Sequence, residues 1–191
     1  EVIGEAVDDA YMEELKKQVI HQDAIDQMNK DLKIVYSPLH GTGNIPVRRI
    51  LKELGFENVY VVKEQELPDG NFPTVSYPNP EAKEAFELGL KLAKDVDADL
   101  VLATDPDADR LGVYVKDTKS GEYKVLTGNM SGCLLADYEI SQTKAVKGLP
   151  KDGCLIKSIV TSNMAKAIAE SYGVKLIDVL TGFKFIGEQI G

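Results

Sequence analysis

Two consecutive three-layer α/β domains with mixed, mainly parallel sheets are expected from three features of the sequence. Short β-rich runs alternate with amphipathic stretches, the alternation restarts near residue 127, and a hairpin pattern separates the two series. The 191 residues are 43% hydrophobic, enough to build real cores. Charged residues make up 28%, with no low-complexity tract, so extended disorder is not expected.

Val7 to Met28 reads as one helix, with Asp8 placed to cap it and Tyr11, Leu15, Val19 and Ile25 along an apolar stripe. Leu32 to Tyr36 is a strand closed by Ser37-Pro38. His40-Gly41-Thr42-Gly43-Asn44 turns the chain. Asn44 can cap a helix that has Pro46 near its first turn and stops at Gly55. Val59 to Val62 is the next strand. Leu67 to Pro80, with prolines at 68, 73, 78 and 80, is a loop longer than connection alone requires. Glu81 to Lys94 is helical and Ala98 to Ala103 is a strand. Leu111 to Val115 and Tyr123 to Leu126 form a hairpin around Ser120-Gly121.

The second series runs helix Thr127 to Ser141, strand Cys154 to Val160, helix Asn163 to Tyr172 ended by Gly173, and strand Val174 to Val179. A further helix starts after Thr181-Gly182. The joint falls between Lys116 and Leu126, giving domains of residues 1–120 and 121–191.

Twenty-two basic against 31 acidic residues give a net charge of −9, which argues against general nucleic-acid binding. No apolar run approaches the roughly 20 residues of a membrane span, so no membrane partner is expected. The opening Glu1-Val2-Ile3-Gly4-Glu5 lacks the basic and apolar regions of a secretory leader. Cys133 and Cys154 belong to no CxxC or Cys/His cluster, which argues against zinc and fits a reducing, cytoplasmic setting. With no initiator Met, and with Phe185 to Gly191 stopping inside a helical pattern, a chain cut at both ends is expected.

The chemistry concentrates in Thr104-Asp105-Pro106-Asp107-Ala108-Asp109-Arg110, directly after a strand. Three carboxylates at i, i+2 and i+4 repel unless a cation neutralises them. In an extended or gently turning loop, alternate side chains face one way and can meet one ion. An all-oxygen set favours Mg²⁺, with Ca²⁺ or Mn²⁺ as substitutes. Arg110 can hold a phosphate at the same place. A solvated acidic turn is the plain alternative. An EF-hand fits worse, because Arg110 and Lys116 stand where it needs Gly and Glu. A haloacid-dehalogenase-type phosphatase would use Asp105 as nucleophile and Asp107 as acid/base, but Asp109 departs from its Asp-x-Asp-x-Thr/Val pattern.

His40-Gly41-Thr42-Gly43 resembles a phosphate-binding turn and leaves open a nucleotide-binding module, although Pro46 occupies the place of a third glycine. Structural packing explains these glycines equally well, and His40 fits a buried hydrogen-bonded role. Thr181, Gly182 and Lys184 lie at a strand-to-helix junction, where α/β sheets bind ligands, and a helix-surface lysine is the plain alternative for Lys184. Thr161-Ser162 holds the equivalent junction one unit earlier, where it can cap the next helix.

Taken in order and spacing, Ser37-Pro38-Leu39-His40-Gly41-Thr42-Gly43, the aspartate loop through Arg110, and Thr181-Gly182-Phe183-Lys184-Phe185-Ile186-Gly187-Glu188 resemble the α-D-phosphohexomutases. The phosphoglucomutase and phosphomannomutase branches are nearest. The resemblance implies the second and part of the third of four domains around a cleft. It also implies phosphate transfer between the 1- and 6-positions of a hexose through a phosphoserine and a hexose 1,6-bisphosphate. Asp105, Asp107 and Asp109 match the Mg²⁺ ligands, Arg110 a catalytic residue near the transferred phosphate, and Thr181, Gly182 and Lys184 the sugar-binding loop. The family's Thr-Ala-Ser-His-Asn-Pro serine loop, its Glu-Glu-Ser sugar motif and the phosphate loop of its fourth domain do not occur in this sequence. A chain that folds without catalysing is therefore expected, its partners being a hexose phosphate and the first and fourth domains.

Overall fold

The computed structural model describes residues 3–190; Glu1, Val2 and Gly191 lie outside the described residues. The chain forms two compact units, Glu1–Thr127 and Gly128–Gly191.

The first unit is built on a five-stranded sheet of order β2-β1-β3-β4-β5, with β1 Lys33–Ser37, β2 Asn58–Val61, β3 Leu100–Thr104, β4 Leu111–Lys116 and β5 Tyr123–Leu126. The first three strands are parallel, Val35 standing between Tyr60 and Val101, and the last two add antiparallel. Side-chain alternation splits the sheet into two faces. Val35, Val101 and Ala103 face α5 (Glu87–Val96) and share a core with Ala93, Ala85 and Phe86. Tyr36, Leu102 and Thr104 turn toward Val47, Ile50 and Leu51 of α3 (Asn44–Glu53). The sheet therefore has helices on both faces, as an α/β/α sandwich requires.

Several expectations are corrected. Val7–Met28 is not one helix but α1 (Glu5–Lys16) and α2 (Gln22–Met28). The break falls at Val19-Ile20-His21, a run of weak helix formers. Helix α1 begins before Asp8, and Met12 rather than the exposed Tyr11 is its buried residue. Asn44 does not cap α3. Its amide donates to the Glu66 carbonyl (2.8 Å) and its side-chain oxygen accepts from Arg48, tying α3 to the short helix α4 (Lys63–Glu66). The expected helix from Glu81 begins as a 3₁₀ turn, Lys83–Phe86, before α5. Residues 121–127, expected with the second unit, lie in the first, because Tyr123–Leu126 pairs with Val113–Lys116.

The second unit repeats a smaller version of the pattern. Helix α6 (Gly128–Val146) packs on α7 (Met164–Tyr172) around Cys133, Ala165 and Ile168. Strands β6 (Cys154–Ser158) and β7 (Lys175–Val179) pair in parallel, and α8 (Phe183–Ile190) follows. Lys157 on β6 is buried and pairs with its register neighbour Asp178 at 2.6 Å. Among the described residues no helix is long and apolar enough to cross a membrane. Cys133 is buried and Cys154 exposed, both as free thiols.

Phe86 supports the sheet from beneath, its ring 4.7 Å from that of Tyr114. Phe86→Ala is expected to destabilise the first unit by about 3–5 kcal/mol, the range for deleting a buried aromatic side chain. Urea unfolding followed by tyrosine fluorescence measures this. A loss below about 1 kcal/mol would show that the site collapses around the gap.

Candidate metal centre

Strand β3 ends at Thr104, and the chain turns at once. The Ala108 N–H donates to the Asp105 carbonyl (3.0 Å), closing a tight turn over residues 105–108. Ala108 takes a left-handed φ of 60°, uncommon for a residue with a Cβ. This tight turn, sharper than the expected extended or gently turning loop, brings the carboxylates together. One oxygen from each of Asp105, Asp107 and Asp109 lies within 4.8 Å of the others.

The three are not equivalent. Asp105 is fully buried, whereas Asp107 and Asp109 are exposed. A buried carboxylate needs compensation, and Arg110 supplies it twice. Its backbone N–H donates to Oδ1 (3.0 Å) and its side-chain Nε to Oδ2 (2.7 Å). Burial pushes the Asp105 carboxyl up, but these two bonds outweigh it and hold Asp105 below the usual carboxylate range. Asp109 is pushed the other way, first by the charge of Asp107, then by burial and its hydrogen bond with Asp105. The Arg110 guanidinium is raised, chiefly by Asp105, and its side chain stays 48% exposed.

The loop rests on the β1–α3 turn. A methyl group on Gly41 would sit 2.4 Å from the Pro106 Cα and 2.5 Å from its carbonyl oxygen. One on Gly43 would meet the Thr104 and Tyr36 hydroxyls at 2.7 Å and Ala108 at 3.2 Å. Thr42 donates to the Pro106 carbonyl through its N–H (2.8 Å) and its hydroxyl (3.1 Å). The Tyr36 and Thr104 hydroxyls meet at 2.8 Å beneath, and burial raises the Tyr36 phenol. The space that resembled a phosphate cradle is thus filled by the aspartate loop. The N–H groups of His40, Gly41 and Thr42 are bonded to the carbonyls of Gln65, Pro38 and Pro106.

This donor set fits a small hard cation. An ion at about 2.1 Å from each oxygen spans oxygen pairs up to about 4.2 Å apart, so the observed spread closes by small side-chain rotations. Beside the loop lies an open depression of about 320 Å³, lined by Val47, Ile50, Leu51 and Leu111 with Asp109 and Arg110 at its edge.

Residues 9–121 match the family model for phosphoglucomutase/phosphomannomutase, alpha/beta/alpha domain II, and residues 127–191 match that for alpha/beta/alpha domain III. The chain belongs to the phosphoglucomutase/phosphomannomutase family. It is 43% identical over 184 residues to a phosphoglucomutase of Staphylococcus saprophyticus, covering 96% of this chain and 32% of that protein. It is 40% identical over 190 residues to a phosphoribomutase of Saccharomyces cerevisiae, covering 94% and 30%. The chain thus spans about a third of the length of these relatives. Among solved structures, a phosphoglucomutase/phosphomannomutase family protein from Burkholderia thailandensis superposes with TM-score 0.68 at 22% identity, over 96% of this chain and 35% of that one. The Paramecium phosphoglucomutase parafusin gives 0.64 at 19%, over 95% and 31%. These superpositions establish the shared fold.

In the terms of this family, the aspartate loop and Arg110 stand in domain II, and Thr181, Gly182 and Lys184 stand in domain III. All three are exposed, Thr181 and Gly182 between β7 and α8 and Lys184 in the first turn of α8. Gly182 has φ 133°, open only to glycine, and the Lys184 Nζ lies 4.8 Å from the centre of the Phe185 ring. Phe183 beside them is 79% exposed. Ser162 does not hold the cap position of α7, which falls on Asn163; its hydroxyl accepts from the Met164 N–H at 3.2 Å just ahead of the helix. Sequence reasoning missed Lys157 and the hydroxyl pair Tyr36–Thr104, which no local spacing marks.

Gly41→Ala is expected to cost about 1–3 kcal/mol, the range for overpacking, because its methyl meets backbone on a bonded turn. Thermal unfolding of the purified variant measures it. No change in midpoint would mean that the aspartate loop moves freely away from the turn.

Proposed function

We propose that this chain forms the second and third domains of an α-D-phosphohexomutase-type isomerase, which moves phosphate between the 1- and 6-positions of a hexose through a phosphoserine and a bisphosphate. The observation that carries this reading is the turn that gathers three carboxylate oxygens within 4.8 Å beside an arginine. Family membership supports it. The serine and the remaining phosphate contacts would come from first and fourth domains elsewhere in a longer polypeptide.

Asp105, Asp107 and Asp109 would hold Mg²⁺, which when bound supplies Lewis acidity to a phosphoryl oxygen. Phosphoryl transfer depends mainly on positioning and charge stabilisation. Arg110 serves both: its Nε is fixed on Asp105 while the guanidinium keeps an exposed edge for phosphate. Thr181, Gly182 and Lys184 would contact the sugar, with Lys184 donating to a hydroxyl or phosphate oxygen. The sugar is an aldose phosphate; relatives of similar identity are named for glucose and for ribose. The two free thiols fit a reducing, cytoplasmic setting.

The phosphatase alternative needs Asp105 as an open nucleophile. The Asp105 carboxylate is instead buried, with each oxygen accepting from Arg110.

Calorimetry of this chain with MgCl₂ or MnCl₂ is expected to show weak saturable binding that Asp107→Ala abolishes. Binding unchanged in that variant would overturn the metal assignment. With Mg²⁺ and p-nitrophenyl phosphate the chain is expected to release no phosphate, and turnover would favour the phosphatase.

A further inference from the structure

We propose that Thr74 and His40 form a partly buried hydrogen-bond relay that positions the aspartate loop, which makes Thr74 of the proline-rich loop a positioning residue for the metal centre. The inference rests on the metal reading of Asp105, Asp107 and Asp109 given above.

For a neutral His40 ring the relay has a single self-consistent direction. His40 Nδ1 lies 3.1 Å from the Leu67 carbonyl oxygen, which only accepts, so Nδ1 carries the ring proton. Nε2 of the neutral ring then accepts, and the Thr74 hydroxyl 2.9 Å away donates to it. Thr74 in turn accepts from Gln65 Nε2 at 3.1 Å. The Gln65 Oε1 accepts from the Ser37 hydroxyl at 2.6 Å, and Ser37 accepts from the Leu39 N–H at 3.1 Å. Ser37, His40 and Gln65 are all buried. A buried network that is fully satisfied is rigid, and the loss of one member leaves others unpaired.

Rigidity at His40 passes directly to the metal loop. Leu39 and His40 hold successive left-handed φ values of 46° and 60°, a conformation side chains keep only where their surroundings enforce it. The relay enforces it on the side-chain side. On the backbone side, His40 N–H donates to Gln65 and its carbonyl accepts from Asp69. The next residue, Gly41, is the one Pro106 rests on, and Thr42 donates twice to Pro106. Pro106 lies between Asp105 and Asp107. The segment from Leu67 to Pro80, unusually long for a connection, thereby gains a structural purpose, since it carries the hydroxyl that locks the His40 ring.

Two readouts test the relay on this chain. In ¹⁵N-labelled protein, long-range ¹H–¹⁵N correlation is expected to show His40 as a single tautomer protonated at Nδ1. Thr74→Val is expected to keep that tautomer but to shift the Nε2 ¹⁵N resonance as its accepted hydrogen bond is lost, and to weaken Mn²⁺ binding, read from the paramagnetic resonance of free Mn²⁺, by about three- to tenfold, at or below the loss for partners bound directly to a ligand. Thr74→Ser is expected to restore both. A folded Thr74→Val chain with unchanged Mn²⁺ affinity overturns the proposal, as does an Nε2-protonated His40 in the unsubstituted chain. Should Thr74→Val fail to fold, the tautomer in the unsubstituted and Thr74→Ser chains decides alone. An unsubstituted chain that binds no Mn²⁺ refutes the metal reading, and the relay is then judged by the tautomer.

Discussion

Pro106 rests on Gly41 with no room for a methyl group between them. The two residues are far apart in sequence, yet their contact determines where the aspartate loop lies. Strand β1 delivers Gly41 and strand β3 delivers Pro106. The two strands are parallel neighbours in register, Ser37 beside Ala103, so both turns emerge at the same end of the sheet. That end is where open α/β sheets place their ligands. The left-handed backbone at His40 and at Ala108 on the two turns is held by this contact and by the hydrogen bonds around it.

Burial then divides the labour among three chemically identical side chains. Asp105 lies inside, and a carboxylate there is tolerated because Arg110 donates to both oxygens. It orders the loop. Asp107 and Asp109 lie outside, where the charge of one raises the carboxyl of the other. A loop with one compensated and two repelling carboxylates gains from a small cation in a way that an ordinary acidic turn does not. The ion pair also holds the arginine in place, so the proposed anion and cation sites would both be built from one turn of chain.

The local sequence marked the participants better than the route that assembles them. The i, i+2, i+4 spacing was enough to single out Asp105, Asp107 and Asp109. It suggested an extended or gently turning loop, whereas the chain closes a tight turn, because nothing in the spacing reports a hydrogen bond from Ala108 back to Asp105. The glycines at 41 and 43 were legible as close-approach residues, but what approaches them comes from β3, and long-range contact has no local signature. Asn44 carried the composition of a helix cap and instead bridges to Glu66, a partner 22 residues on. The hairpin was visible as two runs around Ser120-Gly121. Its allegiance was not, since only pairing with β4 assigns Tyr123–Leu126 to the first sheet.

The two candidate loops differ in how they are held, and the difference bears on specificity. The aspartate loop is fastened by Thr42, Gly41 and Arg110 contacts, most of them buried or bonded to backbone, so substitutions within it are felt by the whole turn. The Thr181–Lys184 segment is exposed, shaped by the positive φ of Gly182, and returns to helix through the Phe185 N–H bonded to the Gly182 carbonyl. In the reading proposed above, the first loop serves the phosphate, which every substrate of such an enzyme shares. The second serves the sugar, which differs. In that reading, a firmly packed phosphate loop and a lightly constrained sugar loop would let substrate preference change by surface substitution while the aspartate loop stays intact. Relatives at 43% and 40% identity, named for glucose and for ribose, are what such an arrangement would allow.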